Sequence, residues 1–131
     1  MSVFLDTSVT VRYLVADPPD MAARAAQIID GEPELQITDV VLAETAYVLT
    51  SVYRIARARV IDQLMELVSK DNIRPFGLDK SVVLQALLLC QPSARVSVAD
   101  ALTWAAARCA GNATVFTFDR RFPSDGIGVS G

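Results

Sequence analysis

Val3-Phe4-Leu5-Asp6-Thr7-Ser8 sets three apolar, strand-prone residues directly before an acid and two hydroxyl residues. That order reads as a short buried strand ending where a helix begins. Asp6 then stands at the carboxyl end of a strand, the edge at which open α/β sheets bind ligands. A second stretch has the same form: Thr114-Val115-Phe116-Thr117-Phe118 runs straight into Asp119. If the two strands are parallel neighbours, both carboxylates emerge at one sheet edge.

Working outward, the segment from Val9 to Val15 has helical spacing and stops at Asp17-Pro18-Pro19, a strong breaker. Residues 20 to 30 predict a second helix with a glycine stop at Gly31. Leu35 to Thr38 is a short strand, and Thr38 or Asp39 can cap the helix that follows. That helix, from Val40 to Tyr53, is apolar on nearly every side with Glu44 as its only charge, a pattern that predicts burial on most faces. Arg54, Arg57 and Arg59 lead into a helix with Val60, Ile61, Leu64, Leu67 and Val68 inward. A brief strand or extended link at 72–76, a helix capped by Asp79 that ends before Pro92, a helix opened by Ser97 and closed by Gly111, and a last strand at 127–129 complete the pattern.

Strands separated by helices predict a parallel sheet covered on both faces. We expect one compact domain over residues 1–131, a three-layer α/β/α fold with a central parallel sheet of four to five strands. No repeat, linker or low-complexity stretch interrupts it.

Apolar residues make up 52% of the 131 and mean hydropathy is +0.35, which predicts an unusually apolar interior together with some apolar surface for a partner. No apolar run reaches the roughly 20 residues of a membrane span, and no basic-then-apolar segment opens the chain, so a cytoplasmic protein with no membrane partner is expected. Cys90 and Cys109 lack metal-type spacing and sit in apolar helical contexts, which predicts two buried free thiols. Histidine is absent. Ser-His-Asp and Cys-His catalysis, histidine zinc sites and imidazole bases are thereby excluded, and hydrolytic chemistry has to rest on carboxylates, hydroxyls and bound metal.

Four acids are candidates. Asp6 and Asp119 follow strands; Asp100 lies three residues after Ser97, and all three also fit plain capping roles. Glu44 differs, because a carboxylate inside an apolar helix costs heavily unless it meets a cation or a wet cleft. Clustered acids repel one another, so a shared pocket calls for a divalent ion, and oxygen-only donors favour Mg2+ or Mn2+. Such an ion suits phosphodiester hydrolysis. Net charge is −3, yet with four of the fifteen acids committed to metal, eleven face twelve bases, ten of them the arginines suited to forked phosphate contacts.

Phe4-Leu5-Asp6-Thr7-Ser8, Val41-Leu42-Ala43-Glu44, Val98-Ala99-Asp100-Ala101-Leu102 with Ala105, and Thr117-Phe118-Asp119-Arg120-Arg121-Phe122 resemble, in order and spacing, the four acidic motifs of the PIN domain. Size and motif wording are most similar to the VapC toxins of bacterial toxin-antitoxin pairs. The resemblance implies a Rossmann-like PIN fold and a Mg2+-dependent endoribonuclease, usually a homodimer, silenced by a cognate VapB-like antitoxin. It also implies that Asp6 and Asp100 are the principal metal ligands, that Glu44 and Asp119 complete the acidic pocket, and that Thr117 is the assisting hydroxyl. Arg12, Arg54, Arg57, Arg120 and Arg121 are candidates for the RNA backbone, and the apolar helices between 40 and 68 for dimer or antitoxin contact.

Two rival readings remain. Asp6-Thr7-Ser8-Val9-Thr10 approaches the Asp-x-Asp-x-Thr signature of haloacid-dehalogenase-type phosphatases, with Ser8 in place of the second acid and no lysine after a good strand. The other rival is a PIN-like module that binds RNA or a partner without cutting.

Overall fold

In the computed structural model, which describes residues 1–131, helices carry most of the architecture. The order is α1 (Thr7–Val15), α2 (Pro19–Gly31), β1 (Leu35–Ile37), α3 (Asp39–Ser51), α4 (Arg57–Ser69), β2 (Ile73–Pro75), α5 (Lys80–Cys90), α6 (Val98–Ala110), β3 (Thr114–Phe116) and β4 (Gly128–Ser130). Five of the six helices start where a short polar side chain or a proline prescribes, and α4 starts after Ala56 without a side-chain cap. Asp6, Thr38, Asp79 and Ser97 accept backbone N–H bonds as N-caps of α1, α3, α5 and α6, and Pro19 opens α2.

All strand pairing is parallel, as expected for an α/β/α fold of this class. Leu35, Gln36 and Ile37 pair with Ile73, Arg74 and Pro75, and Thr114, Val115 and Phe116 pair with Gly128, Val129 and Ser130. The sheet departs from expectation in three respects. The opening strand contracts to a single bridge between Phe4 and Gln36. Instead of one central sheet of four to five strands, two separate pairs form. The β3–β4 pair is not covered on both faces, since Phe116 is 81% exposed and Phe118 97%. Three-residue strands supply few ladder bonds, so helix packing rather than sheet continuity holds the fold.

That packing forms one apolar cluster reaching from Leu5 to Ala105, with Leu35, Ile37, Leu42, Leu49, Leu64 and Leu87 wholly removed from solvent. Truncating any of these leucines to alanine costs about 2–5 kcal/mol. Cys90 joins the core, and burial pushes its thiol up, whereas Cys109 is exposed, contrary to expectation. Cys109 lies in the last turn of α6, where its Sγ accepts the Asp79 amide at 3.4 Å instead of entering the core.

Between α3 and α4 the chain reverses through Arg54, whose φ of 56° is left-handed. The amides of Val52 and Tyr53 both return to the Val48 carbonyl, closing α3. The C-terminal segment docks on α6 through Trp104, whose Nε1 donates to the Asp125 carbonyl at 2.9 Å. Gly126, at φ 71°, leaves the space that the Arg108 side chain fills.

Candidate metal site and its arginines

The first carboxylate owes its place to the bridge at Phe4. Leu5 N donates to Gln36 O at 2.9 Å and Gln36 N to Val3 O at 2.7 Å, so the first segment and β1 run the same way and end together. Asp6 and Thr38 follow at that shared edge, and α1 and α3 begin beside each other. A buried bond between the hydroxyls of Thr10 and Thr45, at 2.8 Å, ties the two helices one turn further in. Asp6 Oδ2 accepts the Ser8 amide at 3.2 Å and the Ser8 hydroxyl at 2.7 Å. The hydroxyl bond first, and the amide bond second, hold this exposed carboxyl below the usual carboxylate range.

Glu44 precedes Thr45 on α3, yet it is exposed. The expectation of a carboxylate sunk among apolar neighbours is therefore corrected. Only Leu42, Thr45, Ala46 and Leu49 of this helix are buried, while Val40 is 70% and Tyr47 66% exposed. The helix is apolar all round because one of its faces is apolar surface, not because every face is packed. Glu44 thus carries no desolvation cost, and burial gives no argument for its role.

Asp100 is half-buried in the first turn of α6, its amide donating to Ser97 Oγ at 3.0 Å. The three ion pairs of the chain, Lys70–Asp30, Arg74–Glu34 and Arg121–Asp119, involve neither Glu44 nor Asp100, so both carboxylates lack a basic partner. Asp119 is gripped by Arg121, with Nε to Oδ1 at 3.0 Å, Nη2 to Oδ2 at 3.1 Å and the Arg121 amide to Oδ1 at 2.8 Å. The guanidinium bond is the main reason that the Asp119 carboxyl lies below its ordinary value. Thr117 Oγ1 accepts the Asp119 amide at 3.0 Å and so sets the turn that presents it. Arg121 is held in its charged form by Asp119 foremost and also by Asp100, which places the two acids in the field of one guanidinium.

Asp6 caps α1, Glu44 lies on α3, Asp100 lies in the first turn of α6, and Asp119 follows β3 in the grip of Arg121. No three carboxylate or thiol side chains gather at metal-binding range. Asp6 and Asp119 are not strand neighbours, because the segment before Asp6 bridges to β1 and β3 pairs with β4. A groove of about 210 Å3 does run between the starts of α3 and α6, lined by Asp39, Val40, Ala43, Ala99, Leu102 and Thr103. Asp39 is the acid that sequence reasoning passed over. Its position after the Thr38 cap marked it only as a second capping residue, and its Oδ1 does accept the Val40 amide at 2.8 Å.

Among the arginines, two are engaged by groups of the chain itself. The Arg57 guanidinium donates to the carbonyls of Cys90 and Ser93, each at 3.3 Å, and to that of Val96. Through Nε and Nη2 it fastens the α5–α6 connection, and Arg121 is paired with Asp119. Arg12 spends one N–H on Tyr53 Oη at 3.0 Å, and Arg54 and Arg120 are exposed without ion pairs.

The donor set suits a hard cation. Every candidate donor is a carboxylate or hydroxyl oxygen, and Mg2+ is held by one or two carboxylates together with water and substrate oxygens, with no need of a closed protein cage. A family model described as PIN domain matches residues 3–124, a span that contains all four acids. No curated protein matches the sequence closely enough to count as a relative.

Proposed function

The chain belongs to the PIN domain family, whose members are typically metal-dependent nucleases, and from that premise we propose that it is a Mg2+-dependent endoribonuclease, the toxin of a type II toxin-antitoxin pair of the VapC kind. The observation that carries this reading is the family match across 3–124, which holds Asp6, Glu44, Asp100 and Asp119 in motif order. Asp6 and Asp100 are its principal metal ligands, and Glu44 and Asp119 complete the site directly or through water.

Mg2+ or Mn2+, when bound, supplies a polarised phosphoryl oxygen and a water of lowered pKa. The chain's own residues prepare the place. Ser8 keeps Asp6 ionised and fixes one of its oxygens, leaving Oδ1 free. Arg121 pairs with Asp119 and holds that carboxyl below its ordinary value. Thr117 orients the Asp119 turn. The outward apolar residues Val40, Tyr47 and Val52 support apolar contact with a second copy or a VapB-like antitoxin.

That no three carboxylates gather at metal-binding range favours one second reading, a PIN-like module that binds RNA or a partner without cutting. Nothing favours the phosphatase, since the residue standing for its second acid, Ser8, is spent on Asp6. One experiment separates nuclease from module: incubation of structured RNAs with Mg2+ or Mn2+, wild type beside Asp6→Asn. Asparagine caps a helix as well as aspartate does, so α1 stays intact. Cleavage by the wild type and a loss of at least about 100-fold in the variant, more than an outer-shell partner costs, is expected. Equal cutting by both proteins removes Asp6 from the chemistry, and binding without cutting by the wild type assigns the module.

A further inference from the structure

Between α1 and α2 lies a groove of about 180 Å3 that none of the four acids enters. Ser8 and Arg12 of α1, one helical turn apart, form one wall and Arg24 of α2 the other, over a floor of Val9, Ala25 and Ile28. No acid lines it. Arg24 is exposed, and none of the chain's ion pairs uses Arg24 or Arg12. Arg12 keeps all but one of its N–H groups free, because only Nη1 is bonded, to Tyr53. The groove opens beside the candidate site, since the Ser8 hydroxyl that lines it is bonded to Asp6 at 2.7 Å.

Two unpaired guanidinium forks facing each other across an acid-free groove present the geometry that grips tetrahedral oxyanions. The floor is apolar, as stacking of an unpaired base face requires. Taking the nuclease reading as its basis, we propose that the α1–α2 groove is a phosphate subsite that holds single-stranded RNA next to the bond aligned at Asp6, with Arg24 and Arg12 as its anion contacts.

The test measures binding of a labelled single-stranded RNA dodecamer by fluorescence anisotropy in EDTA, where nothing is cut, over a range of salt. Arg24→Ala weakens binding about tenfold and lowers the salt slope by about 0.7, the signature of one lost strand phosphate; Arg24→Glu weakens it further. Arg59→Ala, which removes an exposed arginine from α4, leaves affinity unchanged. Circular dichroism confirms that each variant is folded. Wild-type affinity in both Arg24 variants overturns the proposal, as does an equal loss in Arg59→Ala, which signifies diffuse attraction to the whole surface. Poly-glutamate captured through Arg24 in place of RNA also overturns it and assigns the groove to an acidic protein segment. Because binding is read without metal, an Arg24 effect in a protein that cuts nothing removes the nuclease reading alone, and normal cutting with no Arg24 effect removes the groove alone.

Discussion

Thr10 and Thr45 show how much one buried polar pair decides. Both are wholly buried, and Thr10 Oγ1 also reaches the Thr7 carbonyl at 3.0 Å, so its proton goes there and Thr45 donates to Thr10. Thr10→Val strands the Thr45 hydroxyl and costs about 1–3 kcal/mol, while Thr10→Val with Thr45→Val is milder than the single change because no donor is left unpaired. Urea unfolding of the three variants checks this; a double variant less stable than the single would show that the hydroxyl pair is not what matters. The same pair sets how Asp6 and Glu44 lie relative to each other, since it joins the helices that carry them. Asp6, Asp100 and Asp119 were legible as candidates because an acid after a strand or in a helix's first turn is a local signal. The exposure of Glu44 was not, because a helix apolar on all sides reads the same whether its outer face meets protein or water.

The helices and their caps were legible for a physical reason: periodicity and capping depend on residues within about four positions of one another. α5 illustrates it, with Asp79 capping through Ser81 and the helix closing before Pro92. Arg57 illustrates the opposite case. In sequence it belongs to a basic cluster, and in the fold it crosses to three carbonyls at the end of α5 and in the loop before α6. Arg57→Leu is therefore expected to destabilise the protein by about 2–3 kcal/mol, because buried-side carbonyls lose charged donors. Thermal or urea unfolding measures that loss. RNA affinity per folded molecule stays as in the wild type, and a stable Arg57→Leu protein with weakened RNA binding would return Arg57 to the surface set. Strands were harder to place than helices, since three-residue strands carry little pattern and their partners lie far away in sequence.

Stability against pH follows from the ionisable groups taken together. Asp6, Asp79 and Asp119 have carboxyls lowered by hydrogen bonds, from Ser8, Ser81 and Arg121 respectively. A lowered folded-state value means the stabilisation is complete above the unfolded carboxyl value of about 3.9 and is lost as pH falls through the lower folded values. With no histidine to charge, Tm is expected to stay level from about pH 7 to pH 5 and to fall below about pH 4. A melting series followed by circular dichroism checks it, and a decline that begins near pH 6 would require a group other than these carboxyls. The apolar surface foreseen from mean hydropathy is present, on the outer side of α3 and on the β3–β4 pair.

By itself the amino-acid order determined the capped helix starts, the parallel α/β class and the family, because each depends on local spacing or on motifs in a fixed sequence. Only the tertiary structure decided that the strands form two pairs, that Glu44 faces solvent, that Arg57 is a structural clamp, and that no three of the acids gather at metal-binding range. The distance between carboxylates that lie tens of positions apart along the chain is a property of how helices pack and which strands meet, and long-range packing leaves no mark in the spacing of neighbouring residues.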